Sequence, residues 1–322
     1  MNKKISFCLL IIFIFIVGFI YYFYSDSESY NSPAKLVTIN EKRNIKEVNN
    51  DLPKKIEQIN PPSENFSLIY AQAKDMRSFI SYAKQHPEKG GYGYALKGMQ
   101  KCRIAKDFIR NKSSLQYDNS YPSEKFSARQ KSFEYLQYLC QGFSDNELSD
   151  DAVNSLSKEG ILKNDPFISI KQIALSTSTE NDPKAILSAK DKMLKSIFTY
   201  KDPLLISDYG MRAGTVKTDT GSNFFLNGRS YKFSSNDGLI MRAAWSLAAC
   251  EMKGDCSSTN EEVVSACIIS ARCHNSLTEL IKEDLASAGD KDGQWYQRAI
   301  MYSREIIDAI NRGDTQAFRP PQ

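Results

Sequence analysis

The chain of 322 residues holds only two histidines, His86 and His274. Histidine is the side chain most used as general base and metal ligand, so this scarcity already narrows the chemistry. His86 precedes Pro87 in a turn and His274 follows Cys273 near a helix start; each reads as a residue serving its own turn. Among the carboxylates, Glu88 in the run His86-Pro-Glu-Lys-Gly-Gly91 is the best isolated candidate for a catalytic acid. Exposed loop glutamates are common, and a surface role explains it equally well. The phosphate-cradling G-x-x-x-x-G-K-[ST], the nucleophile elbow G-x-S-x-G and the zinc motif H-E-x-x-H do not occur in the sequence.

Cysteine carries the clearest signal. Cys8 lies inside an apolar N-terminal run, and six cysteines follow it: Cys102, Cys140, Cys250, Cys256, Cys267 and Cys273. An even number in an exported chain favours disulfides. Ala249-Cys250-x5-Cys256 and Ala266-Cys267-x5-Cys273 are similar units, each with one cysteine in the last turn of a helix and another just beyond. In a helical hairpin Cys250 sits nearer the turn than Cys267, so pairing across is awkward and local closure is easier. That gives Cys250–Cys256 and Cys267–Cys273, and leaves Cys102–Cys140 to join two apolar helix faces. The alternative is a four-cysteine zinc site, but gaps of five, ten and five do not match the usual close pairs. No metal and no cofactor is expected.

The stretch Ala244-Trp-Ser-Leu-Ala-Ala-Cys250, with Gly254-Asp255-Cys256 and the second Ala-Cys-x5-Cys unit, resembles a signature of uncharacterised exported α-helical proteins of Gram-negative bacteria. The resemblance covers about residues 237–273. It implies an exported helical domain and carries over no activity and no site residue.

The elements that must hold these residues are mostly helices. Phe66, Ile69, Ala73, Met76, Ile80 and Ala83 recur at helical intervals, as do Ala95, Met99, Cys102, Ala105 and Ile109, and then Phe133, Leu136, Cys140 and Phe143. Asp165-Pro166, Asp182-Pro183 and Asp202-Pro203 each mark a helix start, because Asp caps well and Pro is tolerated at the first helical position. Asn227-Gly228 between two aromatic-rich runs predicts a short β-hairpin over 223–233, lying against the helices. Gly238 to Met252 is apolar on almost every face, as a buried helix is. Ser258 and Glu261 have capping-box spacing for the next helix. Trp295, Ala299, Tyr302, Ile306 and Ile310 stripe the last one, with Gly313 as its C-cap. The expected fold is mostly α, an array or bundle of antiparallel helix pairs with one hairpin, over residues 63–322.

Ahead of that domain, Ile5 to Tyr24 is an unbroken run of twenty uncharged residues. As a helix it is about 30 Å long, the thickness of a bilayer core. Lys3 and Lys4 precede it while Asp26 and Glu28 follow, so residues 1–4 are expected in the cytoplasm and the remainder outside. Tyr21, Tyr22, Phe23 and Tyr24 fall where an aromatic belt belongs. A cleaved signal peptide needs a shorter apolar core and a small-residue site, which these flanks lack. Residues 25–62, rich in Ser, Asn, Lys and Glu and broken by Pro33, Pro53, Pro61 and Pro62, read as a flexible tether spanning about 35 Å.

Charge excludes one class of partner. Setting aside Lys3 and Lys4, the 42 basic residues become 40 against 38 acidic ones, without a run of five like charges. A nucleic-acid binder needs a clustered basic face, so none is expected. Taken together the residues predict a single-pass inner-membrane protein with a periplasmic helical domain that binds or scaffolds an envelope partner without catalysis. The alternative is an envelope hydrolase acting on peptidoglycan or peptide through carboxylates. All-helical lytic enzymes usually carry Glu-Ser ahead of Gly-x-x-Gly-Leu-Met-Gln. Gly238-Leu239-Ile240-Met241 is superficially similar, but the paired Glu is missing and Arg242 stands in the Gln position.

Overall fold

The computed structural model describes residues 66–110, 123–218 and 221–321. The expected membrane helix over 5–24 and tether over 25–62 lie outside the described residues. Among those described, no helix is long and apolar enough to cross a membrane.

Twelve α-helices and a three-stranded antiparallel sheet make up the described residues. The first apolar stripe forms two helices rather than one, α1 (Phe66–Ala71) and α2 (Met76–Ala83). The break comes from Asp75, whose side chain accepts from the Arg77 and Ser78 amides and so starts a new helix where the stripe alone predicts continuation. The long α3 (Gly91–Arg110) follows and is the hub of this half, touching α2, α4 (Ser123–Leu139), α5 (Asp150–Leu162) and α6 (Pro166–Thr179). Then α7 (Pro183–Tyr200) and α8 (Pro203–Gly214) fold back in sequence, each on the one before. All three Asp-Pro helix starts are realised. Asp165, Asp182 and Asp202 each accept from backbone amides of the first turn, with Pro directly after.

The hairpin forms at the expected place. Strands β2 (Gly221–Leu226) and β3 (Arg229–Lys232) flank Asn227 and Gly228, whose φ angles of 50° and 76° give the left-handed pair a tight two-residue turn requires. A further strand, β1 (Thr215–Thr218), continues directly from α8 and pairs with β2, so the hairpin is part of a meander. The sheet lies on helices, as expected for so small a β-unit. Phe224, Leu226 and Tyr231 are buried, and Tyr231 packs 5.0 Å from the Tyr302 ring.

The C-terminal half is built on α9 (Asn236–Glu251), which packs most extensively on α12 (Gln294–Arg312) and on α8. Most of α9 is buried, though Leu239 near its start is 40% exposed, so its apolar surround is incomplete there. Trp245 sits so close over α8 that a Cβ at Gly210 would come within 2.3 Å of the indole. Between them lie α10 (Glu261–Ser270) and α11 (Leu277–Ala288). The cap of α10 is Asn260, not Ser258: Asn260 accepts from the Glu262 amide. Residues 255–259 form their own turn around Asp255, which receives the Ser257 amide at 3.1 Å and hydroxyl at 2.7 Å, so the helix starts later than capping-box spacing predicts.

Candidate functional site

Each sequence-derived cysteine pairing is found at disulfide distance. Cys102–Cys140 ties α3 to the end of α4, with Cα atoms 5.2 Å apart. Cys250–Cys256 and Cys267–Cys273 close local loops after α9 and α10, with Cα separations of 5.5 and 4.2 Å. Among the described residues no group of three or more His, Cys, Asp or Glu is placed to hold a metal ion.

Glu88 lies on an exposed turn, its carboxylate 3.6 Å from His86 Nδ1. His86 itself is packed against the rings of Tyr82 and Phe66 at 4.8 and 5.7 Å. His274 lies beside the Cys267–Cys273 loop and meets Glu283 at 2.7 Å. The structure does not bring these three together.

What it does gather is a set that sequence patterns did not single out. A cleft of about 260 Å³ opens where α1, α3, α8, α9 and the start of α10 converge. Helix α3 supplies Tyr94 and Lys97 one turn apart; α8 supplies Ser207 and Asp208; α1 supplies Ser67 and Tyr70. Glu261 and Glu262 enter from the first turn of α10, and Asp255 from the disulfide loop after α9.

Lys97 is the centre of the charge. Its Nζ stands 3.3 and 3.4 Å from the two oxygens of Asp208 and 3.6 Å from Glu261 Oε2. Burial alone would depress the ammonium, but the carboxylates of Asp208 and Glu261 outweigh it and hold Lys97 well above the ordinary lysine value. Lys97 therefore stays a cation, a bridging group and not a nucleophile. One turn on, Lys101 is 3% exposed and donates to the Thr259 carbonyl at 3.2 Å. It lies between the rings of Tyr70 and Tyr135, at 5.5 and 5.6 Å from their centroids. There burial wins, lowering its ammonium against the pull of Glu261 and Asp255.

The tyrosines differ in how they are satisfied. Tyr94 donates to Asp202 at 2.8 Å, so the cap of α8 is also fixed to α3. The Tyr70 hydroxyl and Glu261 Oε2 are shielded from solvent and make no hydrogen bond among the described residues. Burial, together with the negative charge of Glu261, raises the Tyr70 phenol well above its usual value, so it is a donor without an acceptor. The one clue in sequence was Lys97 and Lys101, spaced i and i+4 among Tyr94, Ala95, Met99 and Cys102 on a helix whose neighbours are apolar. A lysine there must find carboxylates or carbonyls, and the sequence does not say which.

No protein-family model, curated protein or solved structure matches the chain.

Proposed function

We propose that the protein is a non-enzymatic recognition or scaffold protein of the bacterial cell envelope. In this reading the 5–24 helix anchors it in the inner membrane, the 25–62 tether spaces it, and the helical domain engages an envelope partner from the periplasmic side. The observation that carries the binding role is the cleft at Lys97. Its charged groups are fixed by one another and by helix starts, which suits holding a ligand of defined shape and charge. A reaction through Lys97 would need the free amine, and Asp208 and Glu261 favour the cation.

The three disulfides fit an oxidising compartment, in keeping with the uncharged run and the Lys3–Lys4 flank. Photo-crosslinking from Ser207 at the cleft rim, in intact cells at native expression, is expected to return one reproducible envelope partner. Repeated failure to capture any protein sinks the recognition reading. A purified chain that digests peptidoglycan, and loses that activity on Glu88→Gln or Glu261→Gln, would replace it with a carboxylate hydrolase.

A further inference from the structure

The cleft itself defines what can enter it. Among the described residues four carboxylates, those of Asp208, Asp255, Glu261 and Glu262, face a single lining ammonium, Lys97. Lys101 stands behind the Tyr70 ring and is committed to a carbonyl. The local balance is therefore negative in a chain whose overall charge is nearly neutral.

Lys97 does not use up the acceptors it touches. Lys97 donates to both oxygens of Asp208 at 3.3 and 3.4 Å, longer than the about 2.7–2.9 Å of a close charge-assisted contact, and stands 3.6 Å from Glu261 Oε2, outside hydrogen-bond reach. Among the described residues Glu261 Oε2 has no hydrogen-bond donor, only the Lys97 ammonium at 3.6 Å, and the Tyr70 hydroxyl has no acceptor. Leaving such atoms unpaired costs stability, because each gave up its water without gaining a partner. A ligand relieves both only if it brings a donor to the first and an acceptor to the second.

We propose that the cleft binds a basic residue of a peptide segment. Its ammonium or guanidinium would enter between Asp208, Glu261 and Glu262, and the Tyr70 ring would turn its solvent-shielded hydroxyl into the cleft to donate to the peptide carbonyl. A neutral side chain leaves the surplus negative charge of the carboxylates unbalanced, and a simple polyamine leaves the Tyr70 hydroxyl without an acceptor. The assignment rests on the recognition reading above and specifies the chemistry of that site.

The test is a titration of the full chain, purified in detergent micelles, with acetyl-Gly-Arg-Gly-amide and its citrulline counterpart, the latter isosteric and uncharged. Calorimetry should show the arginine peptide binding at least tenfold more tightly, with the preference shrinking as salt rises. Glu261→Gln should cut arginine affinity at least tenfold; Asp208→Asn provides the same readout where Glu261→Gln unfolds. Asp151→Asn, on the exposed first turn of α5, should leave binding unchanged. Tyr70→Phe should weaken the peptide but not spermidine.

Equal binding of the arginine and citrulline peptides, or no binding of either, overturns the proposal. Spermidine binding as tightly as the peptide, with Tyr70→Phe silent, overturns the peptide part and assigns the site to free amines. Flat titrations alongside a reproducible crosslinked partner would sink this chemistry and leave recognition standing. Charge-selective binding with no partner in cells would do the reverse.

Discussion

Asp165 shows how much one side chain can organise. It is fully buried and accepts from the Phe167 and Ile168 amides at the start of α6 and from the Tyr92 amide at the start of α3, all within 2.8–3.0 Å. Burial pushes its carboxyl up to about 6 even though the backbone amides pull the other way. A carboxyl raised in the fold takes up its proton there before it does in the open chain. Protonation therefore adds stability that is present near pH 4 and is lost as the pH climbs through about 6. At about 1.4 kcal/mol per pH unit between the ordinary 3.8 and about 6, the change amounts to roughly 3 kcal/mol. Asp165→Asn, which cannot titrate, should consequently be more destabilising at pH 4 than at pH 7.5 by up to that amount. Urea melts of both proteins at the two pH values measure it, and equal penalties would show that the amides, not burial, set the carboxyl.

At the level of elements, two cap aspartates that look alike in sequence should behave differently. Asp182 is exposed and serves only its own helix, so Asp182→Ala should cost about 1 kcal/mol. Asp202 also receives the Tyr94 hydroxyl, so Asp202→Ala leaves a buried phenol without its acceptor and should cost two to three times as much. Chemical denaturation of the two variants gives the comparison. The disulfides sort by loop length in the chain-entropy model. Cys102–Cys140, with a sequence separation of 38, should be worth about 4 kcal/mol, and Cys267–Cys273, with a separation of 6, about 2 kcal/mol. Replacing each pair by alanines and melting the otherwise oxidised proteins should reproduce that order. Caps and local disulfides were legible in the sequence because each is decided within one turn of chain. The α1–α2 break and the Asn260 cap were not, because a side chain one or two residues away competed successfully for the same amides.

For the whole molecule, the last residues lock the second half together. Phe318 is fully buried, with its ring 5.3 Å from Trp245 of α9 and 5.9 Å from Phe198 of α7. Arg319 reaches Asp191 at 2.7 Å and the Ala213 carbonyl at 3.2 Å, and the Ala317 carbonyl accepts from the hairpin turn at Asn227. This tail therefore touches α7, α8, α9 and the sheet at once. Phe318→Ala should cost about 3–5 kcal/mol, a large share of a typical 5–15 kcal/mol. Loss of the near-ultraviolet dichroism of Trp245 well before that of the wild-type chain, on heating, would show it; an unchanged melt would refute the lock.

The helical class, the hairpin turn, the Asp-Pro helix starts and the cysteine partners could be read from the residues alone, because backbone sterics, capping and short loops act over a few residues. It also carries the uncharged run and the basic flank on which the envelope reading rests. The cleft, by contrast, exists only once the helices have packed. Tyr70, Lys97, Asp208 and Glu261 belong to four different helices, and none stands in a motif with another. Their meeting depends on how α1, α3, α8 and α10 pack. The half-buried charge of Lys97 called for carboxylates, but packing alone chose which ones.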